Sequence, residues 1–99
     1  MPNRTSTHGD FTKVSAFAQA VKDLMRQQLN WEKFTPLQRE SFDMAAHKMA
    51  RALCGNHTVV DHYDDHAQYV RMAAIETAGK WDEYLREGQG KKRNVRVRR

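Results

Sequence analysis

Thr35-Pro36-Leu37-Gln38-Arg39-Glu40-Ser41-Phe42-Asp43-Met44-Ala45-Ala46-His47-Lys48-Met49-Ala50-Arg51-Ala52-Leu53-Cys54-Gly55 reads as one helix with both ends marked. Thr35 suits the N-cap and Pro36 the first helical position, where a missing N–H costs nothing. Gln38 is placed to reach back and close a capping box. Phe42, Ala45, Ala46, Met49 and Leu53 recur at three-four spacing, so they form its apolar face. Gly55-Asn56 is expected to take the left-handed conformation that closes a helix.

The same logic extends in both directions. Upstream, Val14, Phe17, Ala18, Val21, Leu24 and Met25 trace an apolar stripe on a helix from about Phe11 to Leu29, with Asp10 or Thr12 as its cap. Downstream, Thr58-Val59-Val60-Asp61 has the form of a second capping signature, opening a helix from about Val59 to Arg86. Tyr63, Ala67, Val70, Ala74, Trp81, Tyr84 and Leu85 are its predicted inner stripe, and Gly79 predicts a kink or a close crossing. No strand pattern and no repeat is visible. The fold class is therefore all-α, a small antiparallel three-helix arrangement in residues 11–87. Residues 1–10 form a flexible N-terminal segment and 88–99 a basic, disordered tail. A chain of 99 residues buries a modest fraction of its surface, so completion by homo-oligomerisation is expected.

Composition narrows the function classes. Of 17 Lys and Arg, six (Lys91, Lys92, Arg93, Arg96, Arg98 and Arg99) lie in the last nine residues, which leaves residues 1–90 with 11 cations against 12 acids. The net charge of +5 thus belongs to the tail, and the helical part is nearly neutral. Such a tail either contacts nucleic acid or an acidic partner by counterion release, or is a solvated terminus. The lone Cys54 excludes an internal disulfide framework and reads as a core residue. No stretch approaches the roughly 18 apolar residues of a membrane span, and the first thirty residues lack a signal-peptide pattern. The expectation is a soluble protein of a reducing cytoplasm with no membrane partner.

Chemistry-bearing residues concentrate in His47-Lys48-Met49-Ala50-Arg51 and Asp61-His62-Tyr63-Asp64-Asp65-His66-Ala67-Gln68-Tyr69. On a helical wheel Glu40, Asp43, His47 and Arg51 share an arc of about 80°, and Asp61, Asp65 and Tyr69 stack along one side of the next helix. If the two helices are neighbours, these faces converge. Glu40, Asp43, Asp61 and Asp65 would then suit Mg²⁺ through hard oxygen ligands, with Lys48 and Arg51 as clamps for a phosphate chain. That composite suits cleavage between the phosphates of a nucleotide, with Tyr69 or a histidine orienting base, sugar or water. Acid and base four apart is also the ordinary pattern of a solvated helix, and Asp61 is equally a capping acid. His62 and His66 have metal-ligand spacing, but no His-Glu-x-x-His pattern and no second cysteine accompany them. Phosphate-loop, nucleophile-elbow and dinucleotide fingerprints are absent.

The chain resembles a family of small bacteriophage and prophage proteins. The resemblance rests on Thr7-His8-Gly9-Asp10-Phe11, Gln38-Arg39-Glu40, His47-Lys48-Met49-Ala50-Arg51, Gly55, and Asp61 to Tyr69, and covers roughly residues 5 to 75. Tyr63 stands where the family pattern has Trp, and Gln68 where it has Gly. More loosely, the chain is similar to all-α nucleoside triphosphate pyrophosphohydrolases of the MazG type. Glu40-x-x-Asp43 is compatible with their first metal-binding helix, whereas Asp61-x-x-x-Asp65 departs from the second in spacing and residue type. The resemblance implies a phage protein in the bacterial host's cytoplasm that acts on phosphorylated nucleotides, with Glu40 and Asp65 as catalytic residues. His8, Asp10, His47, Lys48, Arg51, His62 and Tyr69 would bind the ligand, with His8 and Asp10 as a third wall. Two other classes stay open: a non-catalytic counter-defence protein that holds a host nucleotide signal or host protein, and a nucleic-acid accessory protein using the tail.

Overall fold

A computed structural model describes residues 10–87. Among them there are four α-helices and one 3₁₀ turn, and no strand: α1 (Phe11–Arg26), the 3₁₀ turn (Leu29–Lys33), α2 (Pro36–Cys54), α3 (Val60–Thr77) and α4 (Trp81–Arg86). The all-α class holds. Residues 1–9 of the expected N-terminal segment (1–10), with His8, and the expected basic tail (88–99) lie outside the described residues.

The capping box at Thr35 forms as expected. The Gln38 N–H donates to Thr35 Oγ1 at 3.2 Å and the Thr35 N–H to Gln38 Oε1 at 2.8 Å. Asp10 caps α1 by accepting from the Thr12 N–H at 3.0 Å.

Other boundaries differ from the sequence reading, each for a local reason. Helix α1 stops at Arg26 rather than Leu29, because Gln28 is extended (φ −81°, ψ 151°) and its side chain donates to the Leu24 carbonyl at 3.0 Å. The 3₁₀ turn that follows is held by Arg39, which donates to the carbonyls of Trp31 and Glu32 at 3.2 and 3.1 Å. The guanidinium groups of Arg26 and Arg39 lie 5.4 and 5.7 Å from the Trp31 ring centroid, within cation–π range.

Gly55 closes α2 at φ −124°, not in the left-handed region. Turn chemistry replaces it: the Asn56 side-chain oxygen accepts from both the N–H and the hydroxyl of Thr58. With its hydroxyl so engaged, Thr58 does not cap α3, whose N-cap is Val59 with no side-chain bond.

The long third helix is two helices. Gly79, at φ +73°, takes the left-handed conformation, and the N–H groups of Gly79 and Lys80 donate to the carbonyls of Glu76 and Ile75, both at 3.0 Å. These are the paired bonds of a Schellman ending, so Gly79 terminates α3 instead of kinking it.

Packing is organised by small residues on α2. Ser41, Ala45, Ala46 and Ala50 are its buried positions. At 100° per residue, Ala50 lies about 180° from Ser41, so the small residues occupy both flanks of the helix. On one flank, Ala50 packs with Val14 and Ala18 of α1, backed by Phe17 and Cys54. On the other, α3 is fastened by Lys48–Asp65, by His66 to the Ala45 carbonyl, and by Gln38 to Thr77. Helix α2 therefore contacts both α1 and α3, while α1 and α3 scarcely touch. The Cα trace is correspondingly flat, 16 Å on its shortest axis against 37 and 43 Å.

This arrangement corrects the expected core. On α3 the buried residues are His62 and Ala73, whereas Tyr63, Ala67, Val70 and Ala74, the predicted inner stripe, are exposed. Phe42 and Leu53 of α2 and Leu24 of α1 are also exposed.

The two capping motifs give a direct comparison. Thr35→Ala should cost about 1 kcal/mol, the usual value of an N-cap, while Thr58→Ala should stay within about 0.5 kcal/mol. Chemical denaturation of both variants checks the ordering, and equal losses would contradict the assigned caps.

Candidate functional site in the α2–α3 seam

The seam between α2 and α3 gathers several of the chemistry-bearing residues. Lys48 Nζ lies 3.1 Å from Asp65 Oδ2, with side chains 15% and 27% exposed. Both are positioned by helix geometry, and the short loop Gly55–Val59 returns α3 antiparallel to α2. One turn away, His66 Nδ1 is 2.8 Å from the Ala45 carbonyl oxygen. A carbonyl only accepts, so Nδ1 is the donor in this contact. His62 is 3% exposed. Tyr63 donates its hydroxyl to the His57 carbonyl at 2.7 Å, fixing the loop that ends the seam.

A cleft of about 360 Å³ opens at this end. Lys48, His57, His62 and His66 line it together with Met49, Ala52, Leu53 and Tyr63, and its wall is mainly apolar. A site of this kind holds a ligand with a flat apolar body and an anionic or hydrogen-bonding end. Lys48 has three donors, of which Asp65 takes one, so the ammonium retains capacity for an anion.

The remaining sequence candidates are distributed as follows. Glu40 and Asp61 are exposed, and His47, Arg51 and Tyr69 are partly buried. Asp43 pairs with Arg26 at 3.3 Å rather than with another candidate. On the α2 wheel Glu40, His47 and Arg51 lie on the side opposite Phe42 and Met49, so they share the polar side of the molecule. Asp10 is spent as the α1 cap.

Of the four carboxylates read as Mg²⁺ ligands, two thus face cations and two are exposed. Among the described residues no three His, Cys, Asp or Glu side chains are arranged to hold one ion.

Arg26, as the partner of Asp43, and His57, as a cleft residue, were not apparent in the sequence. Arg26 is 17 positions away on a different helix, which no local pattern reveals. His57 lies in a loop, but its spacing of five from His62 was an available hint. Compared with protein-family profiles, curated proteins and solved structures, the chain has no significant match. No described helix is long and apolar enough to cross a membrane.

The Lys48–Asp65 pair is shielded enough to be measurable. Lys48→Met should destabilise the protein by about 1 kcal/mol, between the values for exposed and buried pairs. Asp65→Asn should then cost less in the Lys48→Met background than alone, as a double-mutant cycle would read. Strict additivity would show that the contact carries no energy.

Proposed function

We propose that the protein binds a phosphorylated nucleotide in the α2–α3 cleft and holds it without turnover. The observation that supports this is the division of one 360 Å³ cleft into an apolar wall and a cluster of Lys48 with three histidines. A nucleotide has the matching division, a flat base for Met49 and Leu53 and an anionic end for Lys48. Holding is favoured over cleavage because Asp43 and Asp65 are already neutralised by Arg26 and Lys48. Given the resemblance to phage proteins, we read the retained nucleotide as a host signal withdrawn from circulation in the bacterial cytoplasm.

A second reading keeps the hydrolase expectation. It draws on Lys48–Asp65 and Arg26–Asp43 lying toward the same polar side as Glu40, where an incoming Mg²⁺–nucleotide would have to displace the cations. The third, nucleic-acid binding by residues 91–99, concerns a segment outside the described residues.

Calorimetric titration with nucleoside mono-, di- and triphosphates, without metal, tests the main reading. At least one should bind, and Lys48→Ala should weaken it by about tenfold or more, the worth of a charge-assisted hydrogen bond. Absence of binding across the panel would overturn it. Release of pyrophosphate or phosphate on adding Mg²⁺, lost in Asp65→Asn, would replace it with the hydrolytic reading.

A further inference from the structure

Unlike the polar side, the other side of the molecule carries apolar side chains that no described residue covers. Phe42 and Met49 of α2 rise from a floor of Ala45 and Ala46, with Val21 and Met25 of α1 on one bank and His66 and Val70 of α3 on the other. Met49 and His66 also line the seam cleft, so the groove runs on to Leu53 and Tyr63 at the hairpin end. Phe42, Val70, Tyr63 and Leu53 are 37, 42, 52 and 64% exposed. The exposure is systematic: α3 turns its whole stripe Tyr63, Ala67, Val70 and Ala74 outward, a helical period kept in the sequence but unused inside the chain.

We infer that this face is where a second copy of the chain docks, apolar side to apolar side, to make a two-layered helical dimer. This inference stands apart from the nucleotide reading, but it shares Met49, Leu53 and Tyr63 with the cleft, so a base held there and a second copy would compete for the hairpin end of the face. Three observations single out a second copy.

The first is architectural. A helix buries its apolar stripe against another element, and stable domains stack two layers around a core. Here α1, α2 and α3 lie side by side, and among the described residues Val14 is the one larger side chain that is fully buried.

The second is charge. Of Asp, Glu, Lys and Arg, only Lys48 lines either stretch of the groove. A two-fold contact sets like residues near like, and a patch with a single rim cation escapes the repulsion that a charged patch would suffer.

The third is area. A standard interface buries about 800 Å² per partner, about 65% of it apolar in homodimers, which asks for on the order of 500 Å² of apolar surface. Four large side chains about half exposed (Phe42, Leu53, Tyr63 and Val70), with Met49, Val21, Met25 and the outward alanines, supply that order of area.

Residues 1–9 and 88–99 hold only Met1, Pro2, Val95 and Val97 as apolar side chains, among polar residues, glycines and cations.

Sedimentation equilibrium of the full chain at tens of micromolar is the test. The expected mass is twice the 11.6 kDa of one chain, little changed between low and high salt, because the contact is apolar. Val70→Asp should reduce it to a monomer that keeps its helical circular dichroism, whereas Leu29→Asp, a change at a side chain 82% exposed in the 3₁₀ turn, should leave the dimer intact. If Val70→Asp unfolds, Leu53→Asp on α2 makes the same test. A monomeric wild type, a folded Val70→Asp or Leu53→Asp variant that stays dimeric, or a dimer lost on removing residues 88–99 would each overturn the inference.

Discussion

Everything in this molecule follows from the small residues on α2. Ser41 and Ala45 on one flank, and Ala46 and Ala50 on the other, let two helices approach a third from opposite sides. Leucines at those positions would hold the neighbours farther off and bring α1 and α3 together over one large-residue stripe. With alanines, α1 and α3 each make their own close contact with α2 and almost none with each other. The consequence is a layer with two distinct sides: one lined by Phe42, Met49 and Val70, the other carrying Glu40, His47 and Arg51.

That two-sidedness explains where chemistry can sit. Polar residues between α2 and α3 cannot be solvated as surface groups are, so each pair of facing polar groups must be matched across the seam. Lys48 meets Asp65, His66 meets the Ala45 carbonyl, and Gln38 meets Thr77. These links span the seam, and the cleft with Lys48 in its lining opens at the hairpin end. The nucleotide proposal belongs to that end because an apolar wall and unexhausted donors occur there together.

The all-α class was legible in the sequence, and so was the start of α2, since Thr35, Pro36 and Gln38 act within four residues of one another; the 3₁₀ turn and the break at Gly79 were not. The pairing of α2 with α3 across a short loop was also legible. What failed was which side of α3 faces in. The stripe Tyr63, Ala67, Val70 and Ala74 is periodic and apolar, and periodicity says that a stripe is buried by something, not by what. The side that does face α2 is marked by His62, His66 and Ala73, a pattern that reads as surface until the partner carbonyl of Ala45 is known. Thr58 failed for a similar reason: its hydroxyl goes to Asn56, two residues back, a competing bond that the Thr-x-x-Asp spacing does not disclose. For the site, Lys48 and Asp65 were both candidates, but as phosphate clamp and metal ligand; their pairing depends on the α2–α3 contact, and the diversion of Asp43 to Arg26 on the α1–α2 contact.

The central claim, that α1 and α3 stand on opposite flanks of α2, is tested most directly by one intramolecular distance. Nitroxide labels at Ala20 and Ala67, both exposed, can be read by electron spin resonance in a Cys54→Ala background diluted with unlabelled chain. Side-by-side helices predict a separation of about 20 Å, two interhelix spacings, whereas a closed three-helix bundle would place the labels at about 10 Å, one spacing, and would contradict the account.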